Sequence, residues 1–170
     1  PRYLPLQGGR TNVMSGYTNG TGAQVDIEYT PSTAYYLEDK LSGNPWTTKL
    51  PYVVQCVSKV VSRDLVTGWD RTETYAYRDG YHDPDFREFR GFGSVVLREH
   101  ECGIDPETDQ DIRETRTDFY LGRSSERPTL DCARAMTTRQ WQEGCRSFQG
   151  MPKSRKVLSV NRDGTGIKEF

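Results

Sequence analysis

Acids stand at alternate positions in GIDPETDQD: Asp105, Glu107, Asp109 and Asp111. Alternating acids open the calcium loop D-x-[DN]-x-[DN]-G-x5-E, whose carboxylates wrap a hard cation. Here Gln110 stands where the loop needs glycine for its sharp turn, and Arg116 where it needs a bidentate glutamate. The stretch therefore reads as a solvated acidic turn. In YHDPD, His82 beside Asp83 and Asp85 has the composition of a base with orienting acids, but no nucleophile signature accompanies it. His100 and Cys102 could begin a metal set only by borrowing a later thiol. The four cysteines (Cys56, Cys102, Cys132, Cys145) form no CxxC pair and there are only two histidines, so four unreactive thiols are expected. No G-x-S-x-G, P-loop or HExxH is present. The 24 acidic residues contain no pair that spacing singles out for glycoside hydrolysis. The expectation is no enzyme, with no catalytic, cofactor-binding or metal residue and no cofactor.

RGFGSVVL (residues 90–97) fits the RNA-reading strand pattern K/R-G-F/Y-G/A-F-V-x-F/Y at Arg90, Gly91, Phe92, Gly93 and Val95. The fit fails where it matters. Ser94 and Leu97 occupy aromatic positions, and base stacking on aromatics carries that recognition. No helical period lies within reach on either side. Net charge is −1, from 23 basic and 24 acidic residues, which gives a phosphate backbone nothing to attract it. Nucleic acid is excluded as a partner. The residues make better sense as strand engineering. Glu88 and Arg90 lie about 7 Å apart along a strand and can pair. Phe86, Glu88, Arg90 and Phe92 are expected on one face, and Arg87, Phe89, Gly91 and Gly93 on the other. Gly91 or Gly93 is a candidate bulge.

The elements that would position these residues have a period of two. AQVDIEY (23–29) sets Val25, Ile27 and Tyr29 against Gln24, Asp26 and Glu28, a strand with one wet face. Further strands are expected at 51–66, 70–80, 86–101, 111–122 and 155–170, the last folded back at Asp163-Gly164. Turn chemistry is read at Asn19-Gly20, Thr30-Pro31-Ser32, Ser42-Gly43-Asn44-Pro45, Asp79-Gly80 and Asp83-Pro84. One stretch differs. Ala133, Thr137, Trp141, Cys145 and Phe148 recur at helical spacing, predicting one short helix near 131–149. The expected fold class is mainly β: an antiparallel sheet of long hairpins with that one helix. Residues 1–101 form a first part, 102–116 an acidic connecting loop, and 117–170 a second part.

The chain has 170 residues and is only 34% hydrophobic, so ten Tyr, six Phe and three Trp must supply much of the buried area. No apolar run approaches the ~20 residues that span a bilayer as a helix, so no direct membrane insertion is expected. Opening on Pro1 and closing on GIKEF, it is expected to be a piece of something longer. A slice of sheet carries open edges, so it is also expected to need its neighbours to fold.

EFRGFG (88–93) preceded by YAYRDGYHD (75–83) resembles the middle region of the B component of insecticidal toxin complexes, the TcdB/TcaC-type proteins related to the virulence protein SpvB. SGYTNGTGAQVDIEYTPSTAYYLEDKLSGNPWTTKLPYVVQCVSKVVSRD (15–64) is similar to the same family's order of turns and strands. SFQGMPKSRKVLSVNRDGTG (147–166) resembles a later family element. Residues 102–116 and 123–140 depart from the pattern. The resemblance implies a role and no reaction. Such a region lies between a β-propeller and Rhs/YD repeats and contributes to a secreted, hollow β-shell. Closed with a C component, the shell encloses a toxic polypeptide for delivery through an A-component channel. The rival reading is a carbohydrate- or protein-binding β-module of a cell-surface Rhs-like protein, with Trp46, Trp69 and the tyrosines as its face. Trp46 after Pro45 is read as a packing anchor.

Overall fold

The computed structural model describes residues 13–102, 112–123, 144, 146–160 and 167–169. β1 (Gly16–Thr18), β2 (Ala23–Pro31), β3 (Gln55–Asp64), β4 (Asp70–Asp83), β5 (Glu88–Cys102), β6 (Ile112–Phe119), β7 (Pro152–Val160) and β8 (Ile167–Glu169) form one sheet. Their spatial order is their chain order, and every neighbouring pair is antiparallel. The expected mainly-β meander of hairpins is what the chain builds. Pairing continues from β5 to β6 without a break. The acidic connection is shorter than 102–116, because β5 runs to Cys102 and β6 already begins at Ile112.

Turn residues act where their chemistry is needed. Asn19 Oδ1 accepts the backbone N–H of Thr21 (3.1 Å) and Ala23 (2.7 Å), closing the β1–β2 hairpin. Asp64 Oδ1 accepts from Val66 N, and its Oδ2 from Thr67 Oγ1, closing β3–β4. β3 is therefore shorter than the 51–66 expected: Asp64 turns the chain at one end, and Pro51 lies outside the ladder at the other. The Asp163-Gly164 turn lies outside the described residues; β7 and β8 on either side of it pair antiparallel.

Two expectations are corrected. Asp79-Gly80 is no turn but sits inside β4. Asp79 takes a φ of 55°, a conformation aspartate tolerates, and the alternation of β4 breaks there. Thr30-Pro31-Ser32 does not only turn; it starts α1 (Ser32–Leu41). Pro31, at φ −66°, is the N-cap. Ser32 is locked to β3's approach, donating its N–H to Val54 O (2.8 Å) and accepting Val54 N–H on Oγ (3.0 Å). Gly43 at φ 82° ends the helix, and Ser42, Gly43 and Asn44 return N–H groups to its last carbonyls. Of the helix expected near 131–149, only residues 144 and 146–149 are described. Positions 144, 146 and 147 are helical, and the rest of that expectation lies outside the described residues.

Candidate functional site

The β4–β5 turn holds a buried cation. Asp83 Oδ1 accepts the N–H groups of Asp85 (2.9 Å) and Phe86 (3.2 Å), bending the chain. Arg87 at φ 54° completes the bend, and β5 starts at Glu88. Register then slips: Phe89 pairs with His82 but Phe92 with Gly80, so β5 carries one extra residue. Gly91, at φ 94°, absorbs it as a bulge. The slip re-aims the side chains. Phe89 and Phe92 meet edge to face at 5.6 Å, although strict alternation had set them on opposite faces. Arg90 goes the other way and is 3% exposed. Its guanidinium meets Asp83 (2.7 Å) and Glu88 (3.1 Å) and donates to the Gly122 carbonyl (2.9 Å). Arg90 also lies over the Phe86 ring, which takes Arg146 at 4.5 Å, and Arg146 in turn reaches Glu88 at 3.0 Å. The expected Glu88–Arg90 pair exists, but Arg90 Nε and Glu88 Oε1 are misaligned for a hydrogen bond. A buried cation tolerates this only with a second anion at hand, which Asp83 supplies.

On the opposite face lies an aromatic layer. Tyr35 of α1 sits edge-on to Tyr77 (5.6 Å) and donates its hydroxyl to Tyr75 O (3.1 Å). Tyr77, Trp46 and Phe89 all pack around Phe92. Gly80 leaves the space: a Cβ there would stand 2.9–3.0 Å from Leu50, Phe92 and Trp46. Burial raises the hydroxyl of Tyr75 to about 12, helped by its hydrogen bond to Glu73. Burial likewise pushes the Cys56 thiol up to about 11. These groups stay neutral and inert near neutral pH.

Several charges across the sheet are paired. Arg71 contacts Glu73 (2.7 Å) and Glu99, and Asp26 pairs with Arg63. Glu114 lies between Arg98 (2.7 Å) and Arg116. Its burial works against the charge, yet hydrogen bonds from Arg98 and Arg116 prevail and hold its carboxyl below the usual range.

The residues weighed for chemistry do not converge. His82 turns away from Asp83 and shares Nδ1 with the Tyr52 hydroxyl (3.1 Å), while Asp83 serves Arg90. Among the described residues no three of His, Cys, Asp and Glu gather as metal ligands, and residues 103–111 lie outside those described. Trp46 is a packing anchor, its indole N–H on Asp39 Oδ2 (2.7 Å) and its ring against Tyr36 and Phe92. Trp46 packs on Gly80 while Trp69 precedes Asp70; those two positions of β4 are roughly 33 Å apart at strand rise, too far for one sugar platform. The buried Arg90 cluster is what residue-by-residue reading missed. Its signals were the Asp83-Pro84 turn and the glycine after Arg90.

Residues 7–122 match the family described as insecticide toxin TcdB middle/N-terminal region. The chain belongs to this family. No curated protein matches it. Among solved structures, a Photorhabdus luminescens Tc holotoxin pore superposes over 88% of the chain, with TM-score 0.74 and 18% identity. Two crystal structures agree: TcdB2-TccC3-TEV (87% of the chain, TM-score 0.72, 18% identity) and TcdB2-TccC3-Cdc42 (84%, 0.69, 18%). At such identity the likeness shows a shared fold. The chain spans about 8% of the length of each of these chains. What the TcdB middle region contributes here, in terms of visible geometry, is a continuous meander pinned at one hairpin by a buried arginine.

Proposed function

We propose that this chain is a non-catalytic wall segment of a secreted toxin-complex B component, helping to form an Rhs-type β-shell that encloses a toxic polypeptide. The supporting observation is the sheet itself: among the described residues, eight strands in chain order, with β1 and β8 each paired on one side, in a family of toxin B components. A meander of this kind extends by adding hairpins at each edge, which is how one polypeptide would build a curved wall. The remainder of the parent chain supplies propeller and repeats, a C component closes the shell, and an A-component channel receives the cargo. Paired charges and neutral, hydrogen-bonded tyrosines give the wall little reactivity of its own, which suits a container.

The test uses the intact B component assembled with a C component that carries a reporter polypeptide at its C-terminus. Photo-cross-linkable residues replace exposed Ala76, on β4, and separately Leu37, on α1. The reporter should resist a protease that cuts it in the C component alone, and one of the two positions should form an adduct with it. Unprotected reporter, or adducts from neither position, would overturn the proposal.

A further inference from the structure

β4 outruns its neighbour on one side. β3 pairs with it only from Lys59 to Arg63, against Asp70–Thr74. From Tyr75 to Asp83, β4 keeps β5 on one side and has no strand on the other among the described residues. An open edge of this kind presents a row of main-chain donors and acceptors to any extended chain. Residues 44–54, which connect α1 to β3, lie along it and take its main-chain groups without forming a ladder. Thr48 Oγ1 donates to Gly80 O (2.9 Å), and His82 N–H donates to Lys49 O (3.0 Å). Nearer the β3 ladder, the Tyr35 hydroxyl of α1 donates to Tyr75 O (3.1 Å). Side chains of β4 hold the connector in place: Asp79 Oδ1 accepts Thr47 N–H (2.6 Å), and Arg78 donates to Asn44 O (2.9 Å). Trp46 and Leu50 approach closely because Gly80 carries no side chain to keep them off. The connector is itself a poor strand. Pro45 and Pro51 bring no N–H, and it makes one main-chain bond to β4 among the described residues. The φ of 55° at Asp79 also breaks the regular spacing of the edge. Prolines, an irregular backbone and a covering loop each blunt an edge.

We propose that residues 44–54 are an edge guard: they occupy the free half of β4 so that an extended polypeptide cannot add to it as a strand. The partner excluded is an unfolded chain with free main-chain N–H and C=O groups, recognised by its backbone and not by its sequence. Where the guard is loosened, the same edge becomes a capture site for such a chain. The inference stands on the sheet and its connector, and holds whether or not the wall encloses a cargo.

The experiment uses the full chain with no C component and no cargo, so its failure is distinct from a failure of enclosure. Tyr35→Phe combined with Thr48→Val removes the hydroxyl donors to Tyr75 O and Gly80 O while nearly keeping the packed volume. The probe is a soluble octapeptide alternating threonine with valine and lysine. Its control is the same peptide N-methylated at every residue, which cannot donate to a ladder. The Thr47 and His82 amides, read by mass spectrometry of overlapping peptides, should exchange about tenfold faster in the double variant. The probe should then re-protect His82 but not Thr47, because it takes the connector's place. The N-methylated peptide should do neither, and the unaltered protein should respond to neither peptide. Exchange across β6 and β7 should stay as it was, which shows the sheet intact; if it rises, Thr48→Val alone is read in the same way. Unchanged exchange at His82, or faster exchange that the probe does not reverse, would overturn the proposal. So would equal protection of the unaltered protein by the probe, or protection by the N-methylated peptide, which would mark an adhesive surface in place of a strand edge.

Discussion

Replacing Arg90 with Met should loosen the β4–β5 turn more than any other single change in the sheet. The cation is 3% exposed and Asp83 7%. Removing the guanidinium strands the Asp83 carboxylate in a site built for its partner and leaves the Gly122 carbonyl without its donor. Glu88 suffers less, because Arg146 still reaches it at 3.0 Å. Breaking a buried pair by deleting one partner costs about 3–5 kcal/mol. At 1.4 kcal/mol per decade, amides of 82–93 and 120–122 should exchange roughly 10²- to 4 × 10³-fold faster where they open locally. Hydrogen exchange reads this segment by segment, where one melting curve reports only the whole. Asp83→Asn in the Arg90→Met background should recover part of the loss, since no buried charge is then left alone. Exchange changing less than fivefold in Arg90→Met, or Asp83→Asn adding a full further loss, would refute the account of Arg90 as the pin of this turn.

The two glycines of the motif should respond differently. Gly80→Ala drives a Cβ into Leu50, Phe92 and Trp46 and should cost ~1–3 kcal/mol; Gly91→Ala meets nothing within 4 Å, so its cost of about 1–2 kcal/mol is backbone strain at φ 94° alone, and Gly91→Asn should lower it, both read by exchange at 89–93. Glu114 has a depressed carboxyl pKa, so its contribution is present above its ordinary value of 4.5 and is lost as pH falls through the folded value. Glu114→Gln should flatten that acid limb in a pH titration of exchange at β6, modestly, because Arg98 and Arg116 are more than half exposed and salt screens them. The Cys56 thiol, raised to about 11 by burial, should resist alkylation in the native protein at mildly alkaline pH and react once denaturant is added, as mass spectrometry would report.

Most of the sheet was legible because its signal is local. Alternation in AQVDIEY, turn residues at Asn19-Gly20 and Asp83-Pro84, and β-branched runs each specify a strand or its end without reference to distant residues. α1 was not legible. STAYYLEDKL has no clean apolar stripe: Tyr35 faces the sheet while Leu37 and Leu41 are 53% and 87% exposed. Pro-Ser-Thr reads equally as a turn or as a helix start, and only the docking of Tyr35 on Tyr77 and of Ser32 on Val54 decides between them. The long-range pairings were likewise invisible. Arg98 reaching Glu114 depends on the register of β5 with β6, which no window of sequence contains, although Arg116 lies only two residues along the same strand.

The resemblance of RGFG to an RNA-reading strand has a mechanical answer. Period-two reasoning assigns Phe89 and Phe92 to opposite faces, and it fails by one residue because glycine follows Arg90. A side chain at position 91 would resist φ 94°; glycine accepts it, β5 gains a residue, and the alternation restarts. Both phenylalanines then join the Trp46 layer on one side, while Arg90 alone drops to the other, onto Asp83 and the Gly122 carbonyl. Phe89, Arg90, Gly91 and Phe92 are needed together, in that order, to let one short stretch serve both faces of the sheet. An RNA-reading strand shares the letters for another reason, since it needs its aromatics exposed. Here Tyr77, Phe89 and Trp46 all pack against the ring of Phe92, which is committed to the aromatic layer.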